Sequence, residues 1–141
     1  MSERDETVIS YSTDPQTLTP EQLMGFFVGW PNPPSAATLL RLLQSSYRVS
    51  LARDGERVVG FANAISDGVL SAYIPLLEVL PDYQGRGVGS ELMRRLLAEL
   101  DKLYMVDVMC DDEVAPFYER LGLRRAGGVI QRNYARQSGQ E

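Results

Sequence analysis

Gln84-Gly85-Arg86-Gly87-Val88-Gly89-Ser90 is the stretch whose residue types and spacing suit chemistry most directly. Glycines let the backbone approach a ligand with no side chain in the way. The turn stands between an apolar run and a helical pattern, and the first N–H groups of a helix are unpaired and point outward. The helix dipole adds positive potential there. Together these features form an anion site suited to a phosphate. A Walker loop needs lysine and then Ser or Thr after its last glycine, whereas Ser90 and Glu91 follow Gly89. The dinucleotide fingerprint needs a glycine where Ser90 stands. What remains is Gln84-x-x-Gly87-x-Gly89, read either as a phosphate cradle or as a turn that only tightens a strand–helix corner.

Other chemistry is bounded by what is missing. The sequence has no histidine and one cysteine. That removes histidine triads, histidine proton shuttles and histidine metal sites, so acid–base work falls to carboxylates, tyrosine, the thiol, lysine, backbone or water. No intrachain disulfide or cysteine metal cluster can form, and no metal site is expected. The lone Cys110 suits a reducing cytoplasm. The acidic start of the chain does not read as a secretory signal, and no apolar run reaches membrane-spanning length. Net charge is −5, which argues against nucleic-acid binding. Residues 1–83 carry 5 basic and 10 acidic residues, whereas residues 84–141 carry 9 of each. That asymmetry is either ordinary surface charge or a sign of two binding regions.

The 141 residues give room for one domain with its own core. A strand is expected over residues 7–13. Thr19, Pro20 and Gln22 form a capping-box start for a helix running to about Gly29. Ser35 caps a second helix, with Ala36, Leu39, Leu40 and Leu43 on one face. Strands over 47–53 and 57–66 flank the hairpin signal Asp54-Gly55. A long apolar strand over 69–80 follows, with a bulge expected at Pro75, which cannot donate a ladder bond. A helix over 87–103 carries the stripe Val88, Leu92, Leu96 and Leu100. Then come a buried strand over 104–110, a short helix over 113–121 ended by Gly122, and two closing strands over 123–126 and 129–135. The order is β-α-α-β-β-β-α-β-α-β-β. The fold class is α/β, with a mixed sheet and helices on both faces.

At this point the sequence resembles a known family. The segment Val79-Leu80-Pro81-Asp82-Tyr83-Gln84-Gly85-Arg86-Gly87-Val88-Gly89 is similar to the acetyl-CoA-binding motif of the GNAT superfamily of N-acetyltransferases, Gln/Arg-x-x-Gly-x-Gly/Ala after an apolar strand. Ala115-Pro116-Phe117-Tyr118-Glu119-Arg120-Leu121-Gly122-Leu123 resembles the aromatic–tyrosine segment on that family's last helix. Cys110-Asp111-Asp112-Glu113-Val114-Ala115-Pro116-Phe117-Tyr118 is also similar to the matching segment of arylalkylamine N-acetyltransferases. The element order resembles the family fold from about residue 7 to 135, within a single domain over 1–141.

The resemblance implies an N-acetyltransferase that moves an acetyl group from acetyl-CoA to a primary amine by direct attack in a ternary complex. It implies that the pyrophosphate rests on the turn formed by Gln84, Gly85, Arg86, Gly87, Val88, Gly89 and Ser90. The pantetheine arm would pair with the strand at Leu77, Glu78 and Val79, and the Val79 N–H would serve as oxyanion donor. It implies Tyr118 as the general acid toward the CoA sulfur, against the alternative of a core tyrosine. The histidines associated with the arylalkylamine enzymes are replaced by Tyr73 and Pro75. Glu78 is the only carboxylate on the strand, so a base acting through water past Glu78 or a backbone carbonyl is expected, against an anchoring role for that residue. Cys110 stands where many members carry asparagine and reads as a small apolar residue. Phe26, Phe27, Trp30 and Tyr134 are candidate walls, against the alternative of core residues, for a small-molecule amine, or for a lysine or N-terminal amine acceptor. A homodimer is compatible with the C-terminal strands. The alternative of a different class is a non-catalytic acyl-CoA-binding regulatory module.

Overall fold

The computed structural model describes residues 8–140 and holds five strands: β1 (Ser10–Ser12), β2 (Arg48–Asp54), β3 (Arg57–Ser66), β4 (Ser71–Val79) and β5 (Met105–Asp107). They form one sheet in the order β1-β2-β3-β4-β5. The first three pairings are antiparallel, and β4 pairs with β5 in parallel. Three helices join them: α1 (Ala36–Gln44), α2 (Val88–Glu99) and α3 (Ala115–Arg120). The mixed sheet with helices on both faces is the expected class.

Each face has its own core. On one, Leu39 and Leu43 of α1 meet Leu18, Leu23, Val49, Leu51 and Phe61. The Ser35 hydroxyl caps α1 by accepting from the Thr38 N–H at 3.1 Å. On the other, Met93 and Leu96 of α2 lie on Ala62, Ala64, Ala72 and Ile74. Small residues let α2 sit close. A Cβ on Gly60 would come within 2.9 Å of Leu92 Cδ1.

α2 starts at Gly87 with no side-chain cap. A cap is worth about 1 kcal/mol, and burying one leucine about 2 kcal/mol. The buried Val88, Leu92, Met93 and Leu96 therefore hold the helix without one, and its first N–H groups stay free.

Four expectations change. The helix expected over residues 19–29 is only the 3-10 turn Pro20–Leu23. Gly25, Phe27 and Gly29 all take positive φ, at 99°, 64° and 83°, which no right-handed helix allows. The Thr19 N–H still donates to Gln22 Oε1 at 2.8 Å, so the capping signal was real but local.

β5 covers only Met105–Asp107 and is not buried, with Met105 40% exposed. Among the described residues it has a partner on one side only.

The two closing strands are absent from the sheet. Residues 123–133 hold no regular element, and Tyr134–Arg136 is a 3-10 turn. The chain end is instead held elsewhere. Gln137 Oε1 accepts from the Asn32 N–H at 3.0 Å, and the Gly139 carbonyl accepts from Arg41 at 3.3 Å. α2 also stops short of residue 103, because Leu100 and Leu103 close tighter turns onto Leu97 and Leu100.

Candidate active site

β4 is bent by the expected irregularity. Asn63 pairs with Leu76 and Ile65 with Tyr73, so β4 spends one residue more than β3 across Ile74 and Pro75. On its other side, β4 pairs with β5 only from Ser71 to Tyr73. Beyond that point the two strands part, and among the described residues the remaining edge of β4 has no strand beside it. The Leu80 N–H donates to the Val59 carbonyl at 2.8 Å, on the β3 side. Alternation along the strand then turns the Val79 N–H to the open edge. The Val79 carbonyl on that edge accepts from Gln84 Nε2 at 3.0 Å. Gln84 thus pins the glycine turn to the end of β4.

The turn itself is braced. The Tyr83 hydroxyl donates to Asp54 Oδ2, and that bond pushes the Tyr83 phenol above its ordinary pKa. Arg86 lies over the Tyr83 ring at 5.2 Å and donates to the Asp82 carbonyl at 3.0 Å. Gly85 and Gly87 take φ of 78° and 80°, conformations that favour glycine. The Glu91 N–H, donating to the Gly87 carbonyl at 3.1 Å, makes the first bond of α2. The amides of Val88, Gly89 and Ser90 precede it and face the cleft mouth. That cleft, of about 280 Å³, lies between Val79, Tyr83, the turn and Phe117. Gly89 sits closest to its far wall: a Cβ there would lie 3.7 Å from Phe117 Cζ and 3.8 Å from Val79 Cγ2.

Tyr118 does not line this cleft. It lies on the neighbouring side of α3, half-buried beside Val108, Cys110 and Leu123. Burial pushes its phenol above the ordinary value, and the nearby Cys110 and Tyr73 add to that. Tyr118 therefore stays protonated at neutral pH and stands close to the end of the β4–β5 pairing. Phe117 is the wall residue that the sequence reading missed; it neighbours Tyr118, and their rings stack edge to face at 5.0 Å.

Glu78 faces the α1 side. Its Oε2 accepts from the Phe27 N–H at 2.7 Å. Burial raises its pKa, opposed by the backbone N–H groups of Phe27 and Val28. This bond explains the positive φ at Phe27, because it fastens the 25–29 loop to β4. Phe27 is buried against Trp30 and Phe61, with ring centroids at 4.7 and 6.3 Å. Phe26 packs on Phe61 at 4.9 Å. These aromatics build core first: Phe27 is buried, Phe26 partly so, and Trp30 is the most open of the three, at 37% exposed. Tyr134 is 71% exposed in the C-terminal turn and lines none of the clefts described above. Cys110 is exposed rather than a buried apolar residue. Among the described residues, no group of three potential ligands could hold a metal ion, and no helix is long and apolar enough to cross a membrane.

Comparison with known proteins gives a consistent picture. Residues 16–123 match the pattern described as the acetyltransferase (GNAT) family. An uncharacterised N-acetyltransferase of Porphyra purpurea is 33% identical over 100 residues, which is 67% of this chain and 58% of that protein. The chain thus spans little more than half the length of such curated relatives. A candidate acetyltransferase from Deinococcus radiodurans R1, known from a crystal structure, is 54% identical with a TM-score of 0.91, covering 94% of both chains. A GNAT family acetyltransferase from Streptococcus pneumoniae TIGR4 is 29% identical with a TM-score of 0.73, covering 89% of this chain and 98% of that one.

Proposed function

The chain belongs to the acetyltransferase (GNAT) family, and from that premise we propose that it transfers an acetyl group from acetyl-CoA to a primary amine within a ternary complex. The observation that carries this reading is one cleft flanked by two sets of free donors. The amides of Val88, Gly89 and Ser90 lie at one end, and the open β4 edge with its Val79 N–H lies at the other. The side-chain-free turn at Gly85 and Gly87 fits a pyrophosphate, since no neighbouring atom stands within 4 Å of where a Cβ would be. Acetyl-CoA supplies a thioester carbonyl open to attack by an amine.

The protein's own groups then divide the work. The turn amides bind phosphate, and Arg86, tied to the Asp82 carbonyl, adds positive charge beside them. Leu77 and Val79 offer backbone to the pantetheine arm. The Val79 N–H donates to the developing oxyanion. Tyr118, held protonated by burial, donates toward the departing sulfur. Glu78 takes the amine's proton through water; its raised pKa makes it a better base than an ordinary carboxylate. The acidic first half of the chain, net −5 over residues 1–83, favours a cationic acceptor, whether a small amine or a lysine or N-terminal amine.

Titration calorimetry with acetyl-CoA, followed by an amine panel monitored for free thiol, tests the reading. Absence of binding at millimolar acetyl-CoA overturns it. The second reading, a CoA-binding module without turnover, draws on the bond between Glu78 and the Phe27 N–H, which occupies the only carboxylate on β4. Binding with no thiol release from any amine selects that one.

A further inference from the structure

The glycine turn has little of its own to hold it in one shape. Gly85 and Gly87 take positive φ, and nothing stands within 4 Å of where a Cβ would be on either. Glycine loses more conformational freedom on ordering than any other residue. Two side-chain bonds at the turn are local, from Gln84 Nε2 to the Val79 carbonyl and from Arg86 to the Asp82 carbonyl, each at 3.0 Å. They tie the segment to itself and to the end of β4. Among the described residues, one side-chain hydrogen bond alone joins residues 81–87 to a distant part of the chain. It runs from the Tyr83 hydroxyl to Asp54 Oδ2, across 29 residues of sequence.

Asp54 is anchored before it meets Tyr83. It ends β2 opposite Arg57, in a hairpin that turns at Gly55 with φ of 62°. It stands two residues after the buried Ala52 and shares that residue's face of the strand. Tyr83 packs on the same side, against the cluster of Ala52, Val59, Leu80, Val88 and Leu92. The hairpin is also held from elsewhere, since the Glu56 carbonyl accepts from Gln22 Nε2 at 3.0 Å. Asp54 is thus a fixed acceptor on the sheet, and a carboxylate bonds a hydroxyl more strongly than a neutral acceptor does. Tyr83 passes the constraint on. Its ring is a wall of the cofactor cleft, and Arg86 lies over it at 5.2 Å.

We propose that Asp54 is a positioning residue for acetyl-CoA. It fixes Tyr83, and through Tyr83 it holds the glycine turn in the shape that receives the pyrophosphate. Asp54 itself lines no part of the cleft. The proposal rests on the acetyl-CoA reading above. Its physical basis is preorganisation: a turn that adopts the receiving shape only about a tenth of the time binds about tenfold more weakly.

Asp54→Ala is expected to weaken acetyl-CoA binding about tenfold in titration calorimetry, and Tyr83→Phe, which keeps the ring, by a similar factor. The double variant is expected to lose no more than either single one, because both remove the same bond. Asp54→Asn keeps an acceptor and suits the hairpin turn, so it is expected to fall between the parent and Asp54→Ala. In the steady state the Asp54→Ala loss is expected in KM for acetyl-CoA, with kcat changed by less than about twofold. Amide exchange of the unliganded protein, read by NMR, supplies a second arm. The Tyr83 and Gln84 amides donate to the Leu80 and Pro81 carbonyls at 2.9 and 3.3 Å, and their exchange is expected to quicken in both single variants. Unchanged acetyl-CoA affinity in Asp54→Ala, losses that multiply in the double variant, or a loss confined to kcat overturns the proposal. If the parent itself does not bind acetyl-CoA, the reading of function falls, and the exchange arm still decides whether Asp54 orders the turn; unchanged exchange overturns that as well. Should Asp54→Ala fail to fold, Tyr83→Phe and Asp54→Asn carry the same test.

Discussion

Tyr73 and Glu78 stand five residues apart on β4 yet project from the same face of the sheet. Their β3 partners, Ile65 and Phe61, share a face, and cross-strand partners point the same way. An odd spacing on a regular strand would put them on opposite faces. The extra residue across Ile74 and Pro75 resets the alternation and brings the β4 carboxylate onto the side of the 25–29 loop, where it meets Phe27.

This relationship separates two roles for Glu78. Glu78→Gln keeps an acceptor for the Phe27 N–H and removes a partly buried charge. Because the folded carboxyl has a raised pKa, the folded state binds the proton more readily than the unfolded chain. The ionised form therefore costs stability, and the parent should become more stable as pH falls toward the unfolded pKa. Glu78→Gln should melt no lower than the parent at pH 7 and should lose much of that pH dependence. If Glu78 accepts the proton, kcat falls about 100-fold or more. Glu78→Ala should also unfasten the loop, lowering stability by about 2 kcal/mol and raising KM for the amine. Calorimetric melting beside steady-state kinetics measures both.

Tyr118→Phe should retain the fold and acetyl-CoA affinity, because Tyr118 lines the neighbouring cleft rather than the glycine-turn cleft. As general acid, its loss should reduce kcat about 100-fold. Burial raises the parent phenol above its ordinary value, so the phenol should not limit the rate below about pH 10. A parent pH–rate profile that bends down near pH 8 and straightens in Tyr118→Phe would contradict the raised pKa while keeping the acid role.

The last two glycines of the turn should respond differently. Gly87→Ala places a side chain at φ 80°, at a cost of about 1–2 kcal/mol, and disturbs the first turn of α2. Acetyl-CoA affinity should fall about tenfold or more. Gly89→Ala meets only ordinary contacts at 3.7 and 3.8 Å and should bind acetyl-CoA much as the parent does. Titration calorimetry of the pair distinguishes a conformational need for glycine from a need for space.

Gly60→Ala reaches the same site through the sheet. Its Cβ would lie 2.9 Å from Leu92 Cδ1 and 3.3 Å from Val88 Cγ1, so either these side chains turn aside in the core or α2 shifts outward. Overpacking of this kind costs about 1–3 kcal/mol. The melting temperature should drop, and acetyl-CoA affinity with it, although Gly60 is on β3 and outside the glycine turn. A variant that binds as the parent does would show that α2 can move without carrying its amides away.

Local rules were legible where short-range chemistry decides the outcome. Ser35 capping α1, the Asp54-Gly55 hairpin, the α2 stripe, the Pro75 irregularity and the glycine turn all depend on neighbours within a few residues. The sequence by itself therefore determined the mixed α/β architecture, the family and the place of the glycine turn. What it could not determine depends on partners far along the chain. The 19–29 segment carries a valid helix start, but Glu78, 51 residues beyond Phe27, draws the Phe27 N–H and fixes a left-handed residue there. Residues 129–135 carry strand-like alternation, but they join no ladder of the sheet, and the chain end is bonded through Gln137 and Gly139 to Asn32 and Arg41 instead. Periodicity records which faces a segment can bury; only the tertiary structure decides what, if anything, lies against them.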